Sequence, residues 1–251
     1  MTIDRMGRRL LRGKWKSAVT AQALWAIGTG CLYLEGMLTA RFGQAVGWVA
    51  GVALLALDLA VLSPLKYGIA AWYWRIGYKP HTTLRGCLRQ SFGRDYRRAV
   101  SWRWQYWLRS AKTALVCLLP AAIMLGCDAR FAAVAAAGAV IYYRVLTWLL
   151  VLIGWIAHRI VMLTYLPAVY LIVSGMDVSQ AFVWSKTLMR GERNRTLCFL
   201  LGFGPWALLY LLILPWLVVS PIWESAKAGW TYRLMKRHFP RYMHQKDGAL
   251  P

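Results

Sequence analysis

Acidic side chains are scarce in this chain: 9 Asp and Glu stand against 31 Lys and Arg, which gives a formal net charge of +22 over 251 residues. Charged residues of both signs make up only 16% of the chain, whereas soluble domains contain about 25%. With 59% hydrophobic residues and 15 Trp, this composition excludes an acidic disordered chain and an ordinary soluble protein, because a core of this length could not bury so much apolar surface. We therefore expect a lipid bilayer to be the solvent for most of the chain.

Motifs that bind metals or cofactors are also missing. The five Cys share no C-x-x-C spacing and the four His form no H-E-x-x-H pair, so we predict no disulfide framework, no metal site and no cofactor. Ser63, Ser220 and His158 lie outside any nucleophile or base motif, which makes an intramembrane enzyme the least favoured function. The sequence predicts a protein that is not an enzyme.

Apolar runs long enough to cross a bilayer fill much of the chain, since a spanning helix needs about 20 residues. The first run follows a basic arm over 1–16 and is too long for the core of a signal peptide, so we expect it to be a transmembrane helix that is not cleaved off. The predicted fold is all-α, a single integral membrane domain over 1–251 that forms a polytopic transmembrane helical bundle of about six spans with an amphipathic interfacial region. The expected spans are 17–38, 44–63, 111–127, 131–157, 196–212 and 213–235. The fourth apolar run continues to residue 173, about 65 Å as a straight helix, so it must break near His158 or Pro167.

The distribution of basic residues orients these spans. Six basic residues precede the first span, and eleven against one acid, Asp95, lie between the end of span two and Lys112 at the start of span three. Both segments are therefore predicted to be cytoplasmic. Basic residues also flank the last apolar run on both sides, including the tail 236–251, so an even number of crossings and two cytoplasmic termini are expected. A re-entrant hairpin broken at Pro215 and Pro221 predicts the same termini and is the alternative topology.

Basic and aromatic residues occur together over 78–112. Leu84, Leu88 and Phe92 recur at helical spacing, which predicts an amphipathic helix lying in the membrane interface. Because Trp favours the headgroup level and Arg meets anionic phosphates, we expect anionic lipids of the cytoplasmic leaflet as partners rather than nucleic acid, which the same residue types can also hold. The expected headgroup contacts are Arg89, Arg97, Arg98, Trp102, Arg103, Trp104, Trp107 and Arg109.

Four ionisable residues fall inside predicted spans, where charges are costly and point to function. Asp58 and Arg144 lie at similar depths in spans two and four, and Glu224 and Lys227 share one helix face in span six. We predict that Asp58, Arg144, Glu224 and Lys227 form a neutral polar cluster. Interhelical pairing is the favoured role of this cluster, and a proton or substrate relay is the alternative.

The residues after the fourth span form a further pattern. Its matches to A-x-x-x-S-x-x-L-M-x-G and then F-x-x-W-x-L-L are Ala181, Ser185, Leu188, Met189, Gly191, Phe203, Trp206, Leu208 and Leu209. With shorter patches at 11–18 and 64–68, this pattern resembles the DUF975 family of bacterial integral membrane proteins. A weaker likeness is to the membrane domains attached to some glycerophosphodiester phosphodiesterases. Since the family has no established activity, the resemblance implies a multi-pass protein of the bacterial cell membrane and no particular reaction.

The same region predicts a connector helix over 179–191 that Ser179 caps and Gly191 stops. Taken together, the sequence favours a non-enzymatic membrane protein that organises lipid or a membrane partner. A small transporter or flippase-like protein that uses the mid-membrane charges is the alternative. No particular protein partner or oligomeric state follows from the sequence.

Overall fold

The computed structural model of the protein describes residues 3–41, 44–77, 79, 81–134, 137–201 and 213–239. Within these ranges the structure is helical and contains no strand, which confirms the all-α class. The helices are α1 Ile3–Leu10, α2 Trp15–Arg41, α3 Gln44–Leu57, α4 Ser63–Arg75, α5 Leu84–Phe92, α6 Tyr96–Val134, α7 Ala137–Met162, α8 Ala168–Val173, α9 Val178–Leu188, α10 Arg193–Leu201 and α11 Ile213–His238.

Three helices of the described ranges are long and apolar enough to cross a membrane. They are Gly51–Arg75, Tyr96–Asp128 and Gly138–Val173. The predicted first and sixth spans fall within α2 and α11. Of the predicted fifth span, α10 covers the beginning, and residues 202–212 lie outside the described ranges.

The second predicted span does not end at residue 63. Instead, α3 passes through a π-helical turn, Asp58–Leu62, directly into α4. Pro64 explains the turn, because its ring would clash with the carbonyl four residues earlier in a regular α-helix. The Ser63 amide donates to the Asp58 carbonyl, five residues back, and this wider turn lets the helix continue past the proline.

The third predicted span and much of the predicted interfacial segment are one helix. α6 has 39 residues, about 58 Å of continuous helix, and no Gly or Pro interrupts it before Pro120. The predicted segments 78–112 and 111–127 are therefore not separate elements, since one helix covers the part of the chain from Tyr96 onward. The predicted spans 111–127 and 131–157 also imply a turn at 128–130, which is wrong, since α6 continues to Val134 and α7 begins at Ala137.

The fold divides into two compact units, Met1–Arg103 with Pro167–Pro251, and Trp104–Leu166. The second unit is an antiparallel helical hairpin. Tyr143 donates a hydrogen bond of 2.6 Å to the Met124 carbonyl and stacks on Phe131. Nearer the open end, a Cβ on Gly154 would lie 2.5 Å from the Cys117 carbonyl oxygen, so the glycine allows the two helices to touch.

The outer surface of this hairpin is apolar. Large side chains such as Val116, Tyr142 and Trp148 are exposed on both of its helices. An apolar surface of this extent is unfavourable in water, and its position on helices long enough to span a membrane indicates that lipid or other protein covers it.

α4 occupies the centre of the first unit, where Trp72 and Tyr73 are fully buried. It packs against α5, α8 and α11, and α1 packs along α11. Gly68 sets the closest approach to α5, because a Cβ there would lie 2.5 Å from Ser91 Oγ and 3.2 Å from the Leu88 Cα.

The break in the fourth apolar run occurs next to Pro167, one of the two places predicted. A 3₁₀ turn, Leu163–Tyr165, follows α7 and α8 then begins after the proline. The connector helix is α9, and Asp177 rather than Ser179 is its N-cap, since the aspartate accepts from the Ser179 amide. The helix ends at Leu188, with Met189 as its C-cap, so the prediction that it runs to a stop at Gly191 is wrong. Gly191, with a φ of +80°, instead lies in the turn between α9 and α10.

Candidate functional site

The first component of the site is Asp58, which the π-helical turn places inside the first unit. Its backbone carbonyl accepts from both the amide and the hydroxyl of Ser63. The residue is only 5% exposed. A carboxylate at such a position needs a cationic partner, because an unpaired buried charge is strongly destabilising.

That partner is Arg103 on α6. Its Nε and Nη2 donate to the two carboxylate oxygens of Asp58 at 2.9 and 3.0 Å, and the arginine side chain is 14% exposed. A parallel pair of charge-assisted hydrogen bonds fixes both position and orientation. The contact therefore joins the start of α6 to the middle of the continuous helix 44–75.

The predicted pair of Asp58 with Arg144 is corrected by this geometry. Arg144 instead donates from Nε and Nη2 to Asp128, at 3.2 Å for each bond. The reason is the later turn of the hairpin, which places Asp128 on helix α6 opposite Arg144 on α7. Arg144 thus belongs to the second unit and Asp58 to the first.

Glu224 and Lys227 pair with each other, as expected for residues three apart on one helix. Lys227 Nζ lies 2.5 Å from Glu224 Oε1. Lys66, which was not predicted as a site residue, lies on α4. This helix continues the one that carries Asp58 and packs against α11, which carries Glu224 and Lys227. Together with Arg103, the partner of Asp58, these side chains make five charged residues. We call these five residues the charged cluster.

The charged cluster carries three cations and two acids, a formal net charge of +1, where the sequence predicted a neutral set. Lys66 Nζ also lies 4.9 Å from the centre of the Trp25 ring, a cation–π contact that partly replaces lost hydration. An excess positive charge among buried helices can attract an anion or carboxylate. The same arrangement is equally compatible with a purely structural role, in which the charges hold the helices together and one extra cation is tolerated.

A series of hydrogen bonds between uncharged polar side chains lies in the core of the same unit. Ser220 donates to Gln22 Oε1 at 2.8 Å, and Gln22 Nε2 donates to the Tyr73 hydroxyl at 3.2 Å. These contacts connect α11, α2 and α4. Since each buried polar group gains a partner, these hydrogen bonds position the helices around the charged cluster without adding charge.

The eight predicted headgroup contacts separate into inward and outward groups. Trp102 is 4% exposed and Arg103 pairs with Asp58, so these two predictions are wrong. They follow Ala99 on the face of α6 that is buried in the first unit. Helical spacing from Ala99 was the signal that could have placed Arg103 in the core.

The remaining six side chains are exposed or partly exposed. Arg89, Arg97 and Arg98 lie on the surface of the first unit. In the second unit Trp104 and Trp107 are exposed, and the Arg109 guanidinium lies 5.8 Å from the centre of the Tyr165 ring.

A polar relay holds α5 in place beneath this surface. Arg75 Nη1 donates to Gln90 Oε1 at 2.6 Å, and Gln90 Nε2 donates to Asp95 Oδ2 at 2.8 Å. The relay ties the end of α4 to the turn between α5 and α6. The exposed arginines of the first unit therefore lie on helices whose positions are fixed by hydrogen bonds, and not on a loop.

A second acidic anchor was also absent from the sequence-based prediction. Glu192, just after Gly191, has a buried side chain whose Oε1 lies 3.2 Å from Arg195 and 3.1 Å from Arg237. His238 Nε2 is 3.5 Å from the same oxygen. Glu192 thus fixes the basic end of α11 against the start of α10.

Among the residues that the structure describes, no three His, Cys, Asp or Glu side chains lie close enough together to hold a metal ion. The site is a set of paired charges with basic surfaces around it. In comparisons with known proteins, the chain matches no protein-family model, no curated protein and no solved structure.

Proposed function

We propose that this chain is a non-enzymatic multi-pass membrane protein that organises anionic lipid, or a membrane-bound partner, at the cytoplasmic face. The observation that carries the proposal is the exposed Arg89, Arg97 and Arg98 surface on a chain whose long helices have apolar exteriors. Basic residues at a membrane surface attract anionic lipids by about 1 kcal/mol each. The Arg75–Gln90–Asp95 relay makes this surface a fixed platform.

The proposal includes six spans and two cytoplasmic termini in the bacterial cell membrane, with membership of the DUF975 family. Support for the topology comes from the excess of basic residues before the first span and between the second and third. Protease-cleavable tags at both termini, tested in right-side-out and inverted vesicles, should be cut together in inverted vesicles. Cleavage of the two tags from opposite sides would contradict an even number of spans.

The lipid role is tested by extracting the protein in native polymer nanodiscs and measuring the anionic fraction of its lipids. We expect enrichment over the bulk membrane, and a loss of that enrichment in the Arg89→Gln, Arg97→Gln, Arg98→Gln triple variant. The triple Arg→Lys variant keeps the charge and should keep the enrichment. Wild-type lipid composition equal to that of the bulk membrane would refute the proposal.

The second candidate function is a small transporter or flippase-like protein. The net +1 of the charged cluster favours it, because a transport site often keeps a charge for its substrate or coupling ion. Proteoliposomes on a solid-supported membrane can be exposed to steps of chloride, phosphate and glutamate. A current that Lys66→Met abolishes and Lys66→Arg retains would support transport, whereas no current in the wild type for any of these anions counts against it.

A further inference from the structure

The first unit contains a cleft of about 460 Å³ that is separate from the charged cluster. It lies where the end of α1, the end of α4 and the C-terminal half of α11 meet. Its cationic lining residues are Arg9, Arg233 and Lys236, and no acidic residue is part of the lining. Most of the remaining wall is apolar or aromatic.

The aromatic wall is held firmly. Trp74 stacks on Tyr170 with ring centres 5.7 Å apart, and it also lies 6.0 Å from the Tyr232 ring. Gly77 and Gly229 also line the cleft, and because they have no side chains they leave space open along its wall. The cleft is thus a space between packed helices with rigid sides.

The combination of three cations with apolar walls defines the ligand that fits. A phosphate in contact with Arg and Lys would gain charge-assisted hydrogen bonds, and the glycerol and upper acyl carbons would bury against the aromatic wall. A volume of about 460 Å³ is within the range of small-ligand sites, about 300–1,000 Å³. A soluble anion alone would leave the apolar wall unused.

We propose that this cleft binds the headgroup of one anionic glycerophospholipid. The inference rests on the proposed lipid-organising function, and it adds a discrete site to a diffuse basic surface. The cations of the cleft lie on the last turn of α1 and toward the end of α11, and its wall includes the end of α4. The proposed topology places these three helix ends at the cytoplasmic leaflet, where anionic lipids are available.

The test uses the full chain in detergent, analysed by native mass spectrometry with added phosphatidylglycerol or phosphatidylcholine. We expect one retained phosphatidylglycerol and no retained phosphatidylcholine. Arg9→Gln with Lys236→Gln should weaken retention about 25-fold, since each basic contact to an anionic lipid is worth about a factor of five. Lys186→Gln with Arg190→Gln removes the same charge from exposed positions on and just after α9, outside the cleft, and should leave retention unchanged.

A second variant fills the space without changing charge. Gly77 is part of the lining, and a Cβ there would have only ordinary contacts, at 3.5 Å and beyond. Gly77→Leu should therefore fold and block the bound lipid. Unchanged retention in Gly77→Leu, with wild-type thermal stability, would overturn the proposal. Equal losses in the two charge variants would overturn it as well.

The two proposals fail in different ways. If native nanodiscs keep their anionic enrichment while no single lipid is retained in detergent, the cleft proposal fails and the lipid-organising function stands. If the enrichment itself is absent, the proposed function fails. Retention lost only in the cleft variants supports the discrete site.

Discussion

The Asp58–Arg103 pair provides the sharpest test of how the first unit is held together. Two unit charges about 4 Å apart attract by about 4 kcal/mol at an effective dielectric constant of about 20. Both side chains are largely removed from solvent, at 7% and 14% exposure. Removing one partner of a buried pair costs about 3–5 kcal/mol, because the other charge loses its compensation.

The two single variants should differ. Asp58→Asn leaves three cations against one acid in the charged cluster, whereas Arg103→Gln leaves two of each, with Lys66 still near Asp58. On this charge count, we expect Asp58→Asn to be the more damaging change. The double variant should cost less than the sum of the singles, with a coupling of about 3 kcal/mol.

Reversible unfolding in mixed micelles, followed by the fluorescence of the 15 Trp, measures these free energies. Arg97→Gln makes the same chemical change at an exposed position of the same helix and should alter stability by less than about 0.5 kcal/mol. Additive single variants, within about 0.5 kcal/mol, would refute the pairing. A larger loss in Arg103→Gln than in Asp58→Asn would refute the role of the net charge.

Three further predictions concern packing, capping and burial. Gly68→Ala should destabilise the protein by about 1–3 kcal/mol through overpacking against α5, whereas Gly51→Ala, with nothing within 4 Å, should be neutral or slightly stabilising in the same unfolding assay. Hydrogen bonds from Ser179 lower the pKa of Asp177 below its ordinary 3.8. The contribution of Asp177 to stability is therefore complete above that value and is lost as the pH falls through the lowered pKa. Asp177→Asn should remove this acid-dependent loss in thermal melts from pH 6 to 3. Burial raises the pKa of the Cys87 thiol against the opposing effect of Arg75, so a variant with Cys87 as its single cysteine should react with iodoacetamide far more slowly when folded than in SDS, at every pH from 7 to 9.

Each of these has a clear contrary result. Equal effects of the two glycine substitutions would show that α4 and α5 do not approach closely at Gly68. An acid-dependent loss that persists in Asp177→Asn would assign that loss to other carboxylates. Folded Cys87 that reacts as fast as the SDS-unfolded variant would show that the thiol is accessible.

Sequence patterning determined the helical class and the membrane environment, because both depend on composition and on the length of apolar runs. It also located the turn at Gly191, whose left-handed backbone favours a residue without a Cβ, although the helix itself ends earlier, at Leu188. The break beside Pro167 follows from the restricted geometry of proline, although the sequence left His158 as another possibility.

Helix boundaries were harder to predict where hydropathy changes without a backbone signal. The residues 96–119 contain neither Gly nor Pro, so the change from basic to apolar composition does not interrupt α6. The same helix continues beyond the expected turn at 128–130, and this shift decides which residue faces Arg144. Pro64, which hydropathy treats as the end of a span, is absorbed by a π-helical turn.

Charge pairing was decided by the tertiary structure. The sequence determined that Asp58 must have a cationic partner, since a lone buried carboxylate is unfavourable, and depth along the helices suggested Arg144. The choice of Arg103 depends on which face of α6 packs into the first unit, and the inclusion of Lys66 depends on how α2, α4 and α11 meet. Composition and spacing restrict each helix by itself, whereas contacts between helices depend on their rotation and register, which only the assembled fold determines.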